Sequence, residues 1–452
     1  MSNLILRTDS YKATHWKQYP KNTETVYSYF ESRGGLFDEV VFFGLQYYLK
    51  KYLEGCVVTQ AHVEEADRFF SMHFGDRDLF NRSDWEYIVN EYDGCLPVSI
   101  KAVPEGSVIP TGNVLMTVEN TDPRCYWLTN YLETLLVQVW YGCTVATQSR
   151  KMKQVIATYL EVTGTPGADL KLHDFGFRGV SSVETAGVGG AAHLVNFRGT
   201  DNLEGVVVAH DYYNEEMAGF SIPANEHSTI TSWLFEEDAM ENMLTQYPTG
   251  PVSCVSDSYN IYKACREYWG ESLKQQVLER DGTLVIRPDS GDPVYVITSI
   301  LHTLYEKFGG RINEKGYRVL DDHVRIIQGD GVDLNMICKI LDAVQTIGFS
   351  ADNIVFGSGG GLLQKLNRDT QKFAFKCSAA KVDGAWRDVY KTPITDSGKN
   401  SKRGQLKLVK EDGEYRTKKL DSFGVDQLVE VFRDGELLED WSLSEIRKRA
   451  KI

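Results

Sequence analysis

Hydrophobic residues have one spacing near both ends of the chain and a different spacing in the middle. Up to about residue 145, runs such as "TVYSYFES" and "NVLMTVEN" alternate apolar and polar residues, with Gly and Pro at their ends. Alternation of this kind is typical of half-buried strands. Helical segments such as "HVEEADRFFSMHFG" lie between them, and a similar mixture ("QLKLVKEDGEY", "SLSEIRKRAKI") returns after about residue 385. The pattern predicts a mixed α/β layer to which both chain ends contribute.

From about residue 170 to 380, short apolar runs each end in a polar cluster and are followed by a helix-length segment. There are about seven: "LKLHDFGFRG", "GVVVAHD", "AGFSIPANEHS", "PVSCVSDSY", "TLVIRPDSGD", "VRIIQGDGVD" and "NIVFGSGGG". Near-continuous apolar runs suit strands that are buried on both faces of a parallel sheet. The pattern predicts an α/β barrel, in which functional groups lie at the carboxyl ends of the strands.

Chemically useful residues lie at these predicted strand ends: Asp174, His227, Asp257, Asp289, Asp330 and Ser358. A single aspartate after a strand is commonly a helix N-cap, and "SDSY" around Asp257 fits that role well. "RPDSGD" around Asp289 is less cap-like. Polar or glycine-rich ends on most of the strands favour one site at one mouth of the barrel.

Four glycines in five positions, from Gly357 to Gly361, stand where a predicted strand passes into a helix. One interpretation is an anion site, since backbone N–H groups at a helix start favour negative charge and only glycine lets the backbone approach closely. The other is a tight strand-to-helix turn without a ligand. This stretch alone leaves both open.

Composition narrows the class of protein. The 452 residues are 42% hydrophobic and 25% charged, as in globular proteins, and the net charge is −14. We expect no nucleic acid as partner, because no long basic block is present, and no membrane, because no apolar run has the length to span one. Eight scattered cysteines without a C-x-x-C pair, and an N-terminus unlike a secretion signal, predict reduced thiols in the cytoplasm.

The local basic segment "GKNSKRGQLKLVK" is compatible with a small polyanion or with a solvated hairpin loop. At the strand ends, Asp257 and Asp289 could hold Mg²⁺, and Arg287 offers a planar cation for phosphate. Gly329 and Asp330 suit a sugar whose hydroxyls need an acceptor, and Phe175 could stack on a flat ring. The residues alone therefore indicate a barrel enzyme for a phosphosugar-like ligand.

Several of these motifs together carry a resemblance to a known family. "TDSYKATHWKQYP", "KLHDFGFRGVSSVETAG", "IPANEHST", "IRPDSG" and "FGSGGGLLQKLNRD" resemble nicotinamide phosphoribosyltransferases, and the match continues in order over almost the whole chain. The resemblance implies a type II phosphoribosyltransferase fold: an incomplete α/β barrel (146–384) beside an α/β sandwich domain built from both chain ends (1–145 and 385–452). It implies a homodimer with active sites at the subunit interface.

The implied reaction joins nicotinamide to 5-phosphoribosyl 1-pyrophosphate, giving nicotinamide mononucleotide and pyrophosphate in NAD salvage. Mg²⁺ would be the cofactor and ATP an optional co-substrate. By the same resemblance, the nicotinamide ring stacks between Phe175 and Tyr11 of the partner subunit, and Asp201 accepts the ring's amide N–H.

The remaining roles also come from the resemblance. ATP would phosphorylate His227, with Glu226 orienting the imidazole, while Asp257 and Asp289 would hold Mg²⁺. Phosphate, pyrophosphate, ribose and further substrate contacts would come from Arg178, Ser253, Arg287, Asp289, Gly329, Asp330, Gly359 and Gly360, with Arg33, Arg368, Lys376, Lys391 and Lys399 arriving from the other chain. From the residues themselves, only His227 lies among the strand-end motifs beside a carboxylate, so we expect His173 and His193 to be structural.

Three alternatives remain at this stage. A nicotinate-using relative is disfavoured by Asp201, because a carboxylate facing the carboxylate of nicotinate repels it. A non-enzymatic binding protein on the same scaffold is disfavoured by the intact set His227, Arg287 and Asp289. A barrel lyase or isomerase for a sugar phosphate would explain the glycines but not the basic residues near the C-terminus.

Overall fold

The computed structural model describes residues 3–75, 79–395 and 400–452. The chain forms two compact units, each built from separate stretches of sequence. The first unit contains Met1–Thr147, His210–Glu215 and Leu366–Lys451, and the second contains Gln148–Ala209, Glu216–Lys365 and Ile452.

The first unit is organised by an antiparallel sheet. Within the described residues its neighbouring strands are, in order, Ala385–Asp388, Phe373–Val382, Thr23–Ser32, Val114–Asn120, Val98–Ala102, Val429–Arg433 and Glu436–Leu437. The three strands from the N-terminal part of the chain lie in the middle of this order, and strands from the C-terminal part flank them on both sides. The first unit is therefore built from both chain ends, as predicted.

Helices and two small hairpins complete the first unit. Its hairpin strands are Glu39–Val41 with Val108–Pro110, and Leu406–Glu411 with Glu414–Lys419. Its helical segments are Leu4–Leu6, Ser10–Lys17, Leu45–Tyr48, Leu49–Leu53, Gln60–Phe74, Arg82–Glu91, Pro123–Cys125, Leu128–Tyr131, Glu133–Leu136, Arg368–Thr370 and Leu443–Arg449.

The second unit contains a parallel sheet whose strands we number one to six along the chain. Among the described residues these barrel strands are Leu172–Asp174, Gly199–Thr200, Val252–Val255, Leu284–Arg287, Val324–Gln328 and Ile354–Ser358. Their spatial order is two, one, six, five, four, three, and every pairing is parallel. Five of the seven apolar runs thus form strands of the predicted incomplete barrel, and Gly199–Thr200 adds a sixth.

The segment from Phe220 to Ala224 lies between the two edge strands. Gly199 in barrel strand two forms an isolated bridge to Phe220, and Ala224 forms one to Ser253 in barrel strand three. This segment is "AGFSIPANEHS", which was predicted as a full strand. It contributes single bridges instead, because Pro223 lacks an N–H and its carbonyl accepts from Ser253 N.

Helices follow the barrel strands, as the alternation predicts. They are Val139–Thr163, Phe177–Gly179, Val183–Leu194, Leu203–Tyr213, His227–Thr231, Glu236–Gln246, Ile261–Lys263, Ala264–Ser272, Lys274–Glu279, Pro293–Phe308, Leu334–Thr346, Ala351–Asn353 and Gly360–Leu363; a small hairpin pairs Gly310–Ile312 with Arg318–Leu320.

A second strand prediction was wrong. "GVVVAHD" lies inside the helix Leu203–Tyr213, and the short barrel strand Gly199–Thr200 precedes it. Val206 and Val208 are buried while Val207 is exposed, so the apolar run covers the broad buried face of a helix rather than both faces of a strand.

The division of the chain also differs from the predicted boundary at residue 384. Residues 373–382 pair with Thr23–Ser32 in the antiparallel sheet, so the chain re-enters the first unit at Leu366. No helix within the described ranges is both long and apolar enough to span a membrane.

Candidate active site

The aspartates at the barrel strand ends are not the helix N-caps. Asp292 accepts from Tyr295 N at 2.8 Å and caps the helix after barrel strand four, and Asp333 accepts from Met336 N at 2.9 Å after barrel strand five. After barrel strand three, Asn260 is the cap. Capping therefore does not account for Asp257, Asp289 or Asp330, and their carboxylates are available for another role.

An open pocket of about 900 Å³ lies at this end of the barrel. A volume of this size accommodates a ligand as large as a phosphorylated sugar with a second anionic group. Its lining includes most of the residues predicted for substrate in this unit: Phe175, Arg178, Asp201, Arg287, Asp289, Gly329, Asp330, Gly359 and Gly360. Strand ends that are far apart in sequence thus meet in one pocket.

The Phe175 ring occupies a slot made by two glycines. A Cβ on Gly357 would lie 2.0 Å from Phe175 Cε2, and one on Gly329 would lie 3.4 Å from the same atom. On the ring lies the Arg287 guanidinium, 5.5 Å from the centroid. Arg287 in turn donates to Asp289 Oδ1 from two nitrogens, at 2.7 and 3.2 Å. The aromatic ring, the cation and the carboxylate are therefore held as one assembly.

The glycines between Gly357 and Gly361 have different surroundings. Gly357 makes room for Phe175, and a Cβ on Gly361 would lie 2.4 Å from the Val332 carbonyl oxygen, so both serve packing. At Gly360, by contrast, a Cβ would have nothing within 4 Å, while a Cβ on Gly359 would lie 3.3 Å from the Phe175 carbonyl oxygen. The tight-turn interpretation therefore accounts for Gly357 and Gly361, whereas Gly359 and Gly360 line the pocket and the anion-site interpretation stays a prediction for them.

Asp201 lies where this pocket meets a second, mostly apolar cavity of about 220 Å³ inside the barrel. That cavity is lined by His173, Ser253, Val285, Ile327 and other residues, and Phe175, Asp201 and Arg287 line both spaces. The Ser221 hydroxyl donates to Asp201 Oδ1. A flat ring at this junction would meet an apolar wall and one oriented carboxylate.

Asp174 shapes the turn that carries Phe175. Its carboxylate accepts from Gly176 N at 2.7 Å and from Asn202 Nδ2 at 2.9 Å, and the side chain is buried. Burial is the main cause that raises the pKa of Asp174 to about 6, with the Asn202 amide opposing it. Asp174 therefore positions the phenylalanine rather than lining the pocket itself.

His227 lies between two carboxylates and a hydroxyl. Its Nε2 is 3.7 Å from Asp257 Oδ1 and 3.7 Å from Asp289 Oδ2, and its Nδ1 is 3.1 Å from Ser258 Oγ. The Glu226 carboxylate accepts from the Ser228 hydroxyl at the start of the short helix. The imidazole thus contacts Ser258, Asp257 and Asp289, whereas Glu226, which was expected to orient it, accepts a hydrogen bond at the helix start.

The two carboxylate oxygens of Asp257 differ in their hydrogen bonding. Oδ2 accepts from Asp289 N at 2.9 Å and from Ser290 Oγ at 2.5 Å, while Oδ1 is buried and accepts no hydrogen bond. Two carboxylates suit Mg²⁺, which takes one or two protein carboxylates and completes its shell with water and ligand phosphates. In the described part of the chain no group of three or more His, Cys, Asp or Glu could bind a metal by itself.

The cations that the resemblance assigns to the partner chain, Arg33, Arg368, Lys376 and Lys391, belong to the first unit. Burial is the main cause that lowers the pKa of Lys376, opposed by Glu133, and repulsion from Arg33, Lys391 and Arg368 lowers it further. Arg33, Lys391 and Arg368 therefore lie close enough to Lys376 to repel its charge. Lys399 lies outside the described residues. Tyr11 is also in this unit, with 55% of its surface exposed.

The two histidines expected to be structural are enclosed. His193 is fully buried, with Nε2 near the carbonyl oxygens of Leu172 and Gly199 and Nδ1 3.0 Å from Ser149 Oγ. Burial, as the largest cause, lowers its pKa to about 3. A neutral imidazole here joins the first two barrel strands, while His173 lines the apolar cavity.

Several residues of the site went unnoticed in the sequence. Lys365 lines the larger pocket, Ser221 holds Asp201, Ser258 contacts His227, and Asn202 holds Asp174. Each adjoins a predicted motif, and Lys365 follows Gly361 by one helical turn. Position next to a motif was therefore the available signal.

Comparison with known proteins agrees with this geometry. The fold resembles a nicotinate-nucleotide pyrophosphorylase from Pyrococcus furiosus (TM-score 0.64, 16% identity, covering 99% of this chain and 95% of that one). It also resembles human nicotinic acid phosphoribosyltransferase (TM-score 0.60, 16% identity, covering 98% and 92%). These likenesses define the class of fold, that of the type II phosphoribosyltransferases.

Sequence comparison is more specific. The model of the nicotinate phosphoribosyltransferase (NAPRTase) family matches residues 170–436, and that of the nicotinamide phosphoribosyltransferase N-terminal domain matches residues 3–100. A nicotinamide phosphoribosyltransferase of Xanthomonas campestris pv. campestris is 51% identical, over 100% of this chain and 98% of its own. One of Acinetobacter baylyi is 34% identical, over 99% and 97%. The chain belongs to the nicotinamide phosphoribosyltransferase family.

Proposed function

We propose that this chain is a pentosyltransferase of NAD salvage that converts nicotinamide and 5-phosphoribosyl 1-pyrophosphate to nicotinamide mononucleotide and pyrophosphate. The observation that carries the proposal is the junction of the two spaces, where Phe175, Asp201 and Arg287 line both. A ring stacked on Phe175 can place its amide at Asp201 and its ring nitrogen towards the pocket that would hold the sugar.

The reaction requires little proton transfer. The ring nitrogen of nicotinamide is a neutral nucleophile whose lone pair forms the bond to the anomeric carbon, while the bond to pyrophosphate breaks and its electrons leave with that anion. The protein's task is to align the two reactants and stabilise charge. Phe175 would fix the plane of the ring, Asp330 would accept from ribose hydroxyls, and Arg178, Arg287 and Gly360 N–H would bind the phosphates.

Mg²⁺ would be held by Asp257 Oδ1 and Asp289, whose arrangement supports this role. When bound, the ion would supply positive charge for the departing pyrophosphate. Within the chain itself, Arg287 keeps Asp289 in place and Asp289 N fixes Asp257.

Two protomers would complete each site, with Tyr11, Arg33, Arg368, Lys376, Lys391 and Lys399 of one serving the other. The repulsion that Arg33, Lys391 and Arg368 exert on Lys376 supports an anionic ligand for these cations. Neighbouring apolar side chains at Trp233, Leu234 and Phe235 are 43%, 86% and 61% exposed, a surface suited to a second copy. We propose the cytoplasm as the compartment, consistent with cysteines that all remain free.

ATP would act through His227 as a phosphate acceptor. We expect His227→Ala to abolish stimulation by ATP while leaving measurable basal transfer, because the imidazole does not serve as a base in the transfer step. Initial rates with and without ATP measure the effect. His210→Ala, which changes a histidine paired with Asp211 at 2.7 Å, is the matched control and should keep full stimulation. Undiminished stimulation in His227→Ala would exclude the assigned role.

Substitutions at two glycines should each affect the KM of a different substrate. A methyl group at Gly357 must displace the Phe175 ring, so Gly357→Ala should raise the KM for nicotinamide about 10-fold and change that of the donor little. Gly360→Ala meets no protein atom but enters the anion pocket, so it should raise the donor KM instead. Steady-state kinetics with each substrate varied measures both. Equal changes in both constants for both variants would contradict these placements.

The decisive test of the proposed reaction is a direct assay. Purified protein is mixed with the phosphoribosyl donor, Mg²⁺ and either nicotinamide or nicotinate, and the mononucleotide is quantified. We expect nicotinamide to be used faster. Faster turnover of nicotinate would reassign the substrate, and no mononucleotide from either would favour a binding protein.

A further inference from the structure

Outside the proposed site, two cysteines of the first unit are in contact. The sulfur atoms of Cys56 and Cys95 are 3.4 Å apart, although 39 positions separate the residues in sequence. Cys56 is exposed, Cys95 is partly buried, and neither is in a disulfide. A disulfide bond has a length of about 2.05 Å, so the sulfurs need to approach by only about 1.4 Å to form one.

The backbone holds the two cysteines in this relation. Val57 N and Val58 N each donate to the Gly94 carbonyl oxygen at 3.1 Å, directly beside the two thiols. Gly94 has a φ of +84°, and a Cβ there would lie 2.0 Å from Val58 O, so the two turns pack closely enough to require glycine. The contact is therefore built into the fold rather than resulting from two freely moving side chains.

A third turn fixes Cys95 from the other side. Gly55 N donates to the Gly435 carbonyl oxygen at 2.8 Å, and a Cβ on Gly435 would lie 2.8 Å from Cys95 Cβ and 3.0 Å from its sulfur. The Cys95 side chain thus has little freedom to turn away from Cys56. The Cys56 thiol is accessible to a reagent, and the Cys95 thiol lies in contact with it.

We propose that Cys56 and Cys95 form an intramolecular disulfide when the protein meets a low-molecular-weight disulfide such as oxidised glutathione. The Cys56 thiolate attacks one sulfur of the reagent, whose S–S bond breaks and releases one small thiol. The Cys95 sulfur then attacks Cys56, releasing the second small thiol. Two protein thiols are oxidised, one small disulfide is reduced to two thiols, and the two protons leave with those thiols.

Cys56 is exposed and Cys95 partly buried, so the reagent reaches Cys56 first. Burial is the largest cause that raises the pKa of Cys95 to about 11, followed by its hydrogen bond with Cys56. Since the thiolate is the attacking species, ring closure by Cys95 should be the slower step and should accelerate as the pH rises. The bond would close a loop containing the helices Gln60–Phe74 and Arg82–Glu91.

The test uses the full chain exposed to oxidised glutathione and analysed by intact mass and non-reducing peptide mapping. We expect a product lighter than the reduced protein by two hydrogen atoms, a peptide pair joining Cys56 to Cys95, and a thermal midpoint raised by a few degrees. Cys95→Ser should instead retain one glutathione at Cys56, and Cys56→Ser should form neither product. Cys338, partly exposed on the helix Leu334–Thr346, is the matched cysteine for Cys338→Ser, which should leave ring closure unchanged.

Three results would overturn the proposal. They are a stable glutathione adduct at Cys56 while Cys95 is intact, a disulfide joining two chains through Cys56, and oxidation that leaves both thiols free. Because neither cysteine lines the proposed substrate pocket, Cys56→Ser should keep its transfer activity, which serves as the check that the variant folds. Failure of this proposal leaves the proposed reaction untouched.

Discussion

Replacing Arg287 with alanine should raise the KM for the phosphoribosyl donor by roughly 10- to 100-fold and lower kcat/KM by about 100-fold or more. A charge-assisted hydrogen bond contributes about 1.5–3 kcal/mol, and the guanidinium offers two donors in a fixed fork. The loss also frees Asp289, which accepts from Arg287 at 2.7 and 3.2 Å, and removes the cation above the Phe175 ring. Steady-state kinetics with the donor varied measures the effect.

Two variants make the result interpretable. Arg287→Lys keeps the charge but not the planar fork, so it should recover only part of the donor affinity. Arg325→Ala removes an arginine that donates to the carbonyl oxygens of Leu320, Asp321 and Val324, and it should leave the donor KM near its original value. An unchanged donor KM in Arg287→Ala would remove Arg287 from the substrate site.

Asp201→Asn should exchange the preference between the two pyridines. The carboxylate only accepts, which suits the amide N–H of nicotinamide, whereas an asparagine N–H₂ can donate to the carboxylate of nicotinate. We expect kcat/KM for nicotinamide to fall roughly 100-fold and the ratio of nicotinate to nicotinamide use to rise by at least that factor. Competition between the two substrates in one reaction measures the ratio directly.

Ser221 and Asp211 supply the controls for this change. Ser221→Ala removes the hydroxyl that donates to Asp201 Oδ1, so it should weaken nicotinamide binding modestly without admitting nicotinate. Asp211→Asn alters an exposed aspartate and should change neither rate. An Asp201→Asn variant with the original preference would show that the carboxylate does not select the substrate.

The strand-end residues were predictable because parallel strands bring their carboxyl ends together whatever their separation in sequence. Asp257, Asp289 and Asp330 meet near one pocket for this reason, and the helix caps proved to be other residues. The helix at "GVVVAHD" was missed because three consecutive valines satisfy a strand pattern as well as a buried helix face. Barrel strand two, Gly199–Thr200, has only two residues, which is too few to show a pattern of apolar and polar positions.

The finer geometry could not be predicted from one sequence. Glycines at 357 and 360 look alike in the chain, yet one accommodates a ring and the other borders open space, a difference set by what the fold places opposite each. The contact between Cys56 and Cys95 likewise depends on turns from three parts of the chain. Local spacing identifies such residues but not their neighbours.

The order of the chain within the antiparallel sheet has a consequence for biosynthesis. Strand Thr23–Ser32 pairs on one side with Val114–Asn120 but on the other with Phe373–Val382, which the ribosome makes much later. Since synthesis proceeds at about 5–20 residues per second, this edge of the strand Thr23–Ser32 stays unpaired for roughly 20 to 70 s. Residues 148–365 are completed in the meantime, so the nascent barrel can fold while an unfinished sheet edge needs protection from unwanted pairing.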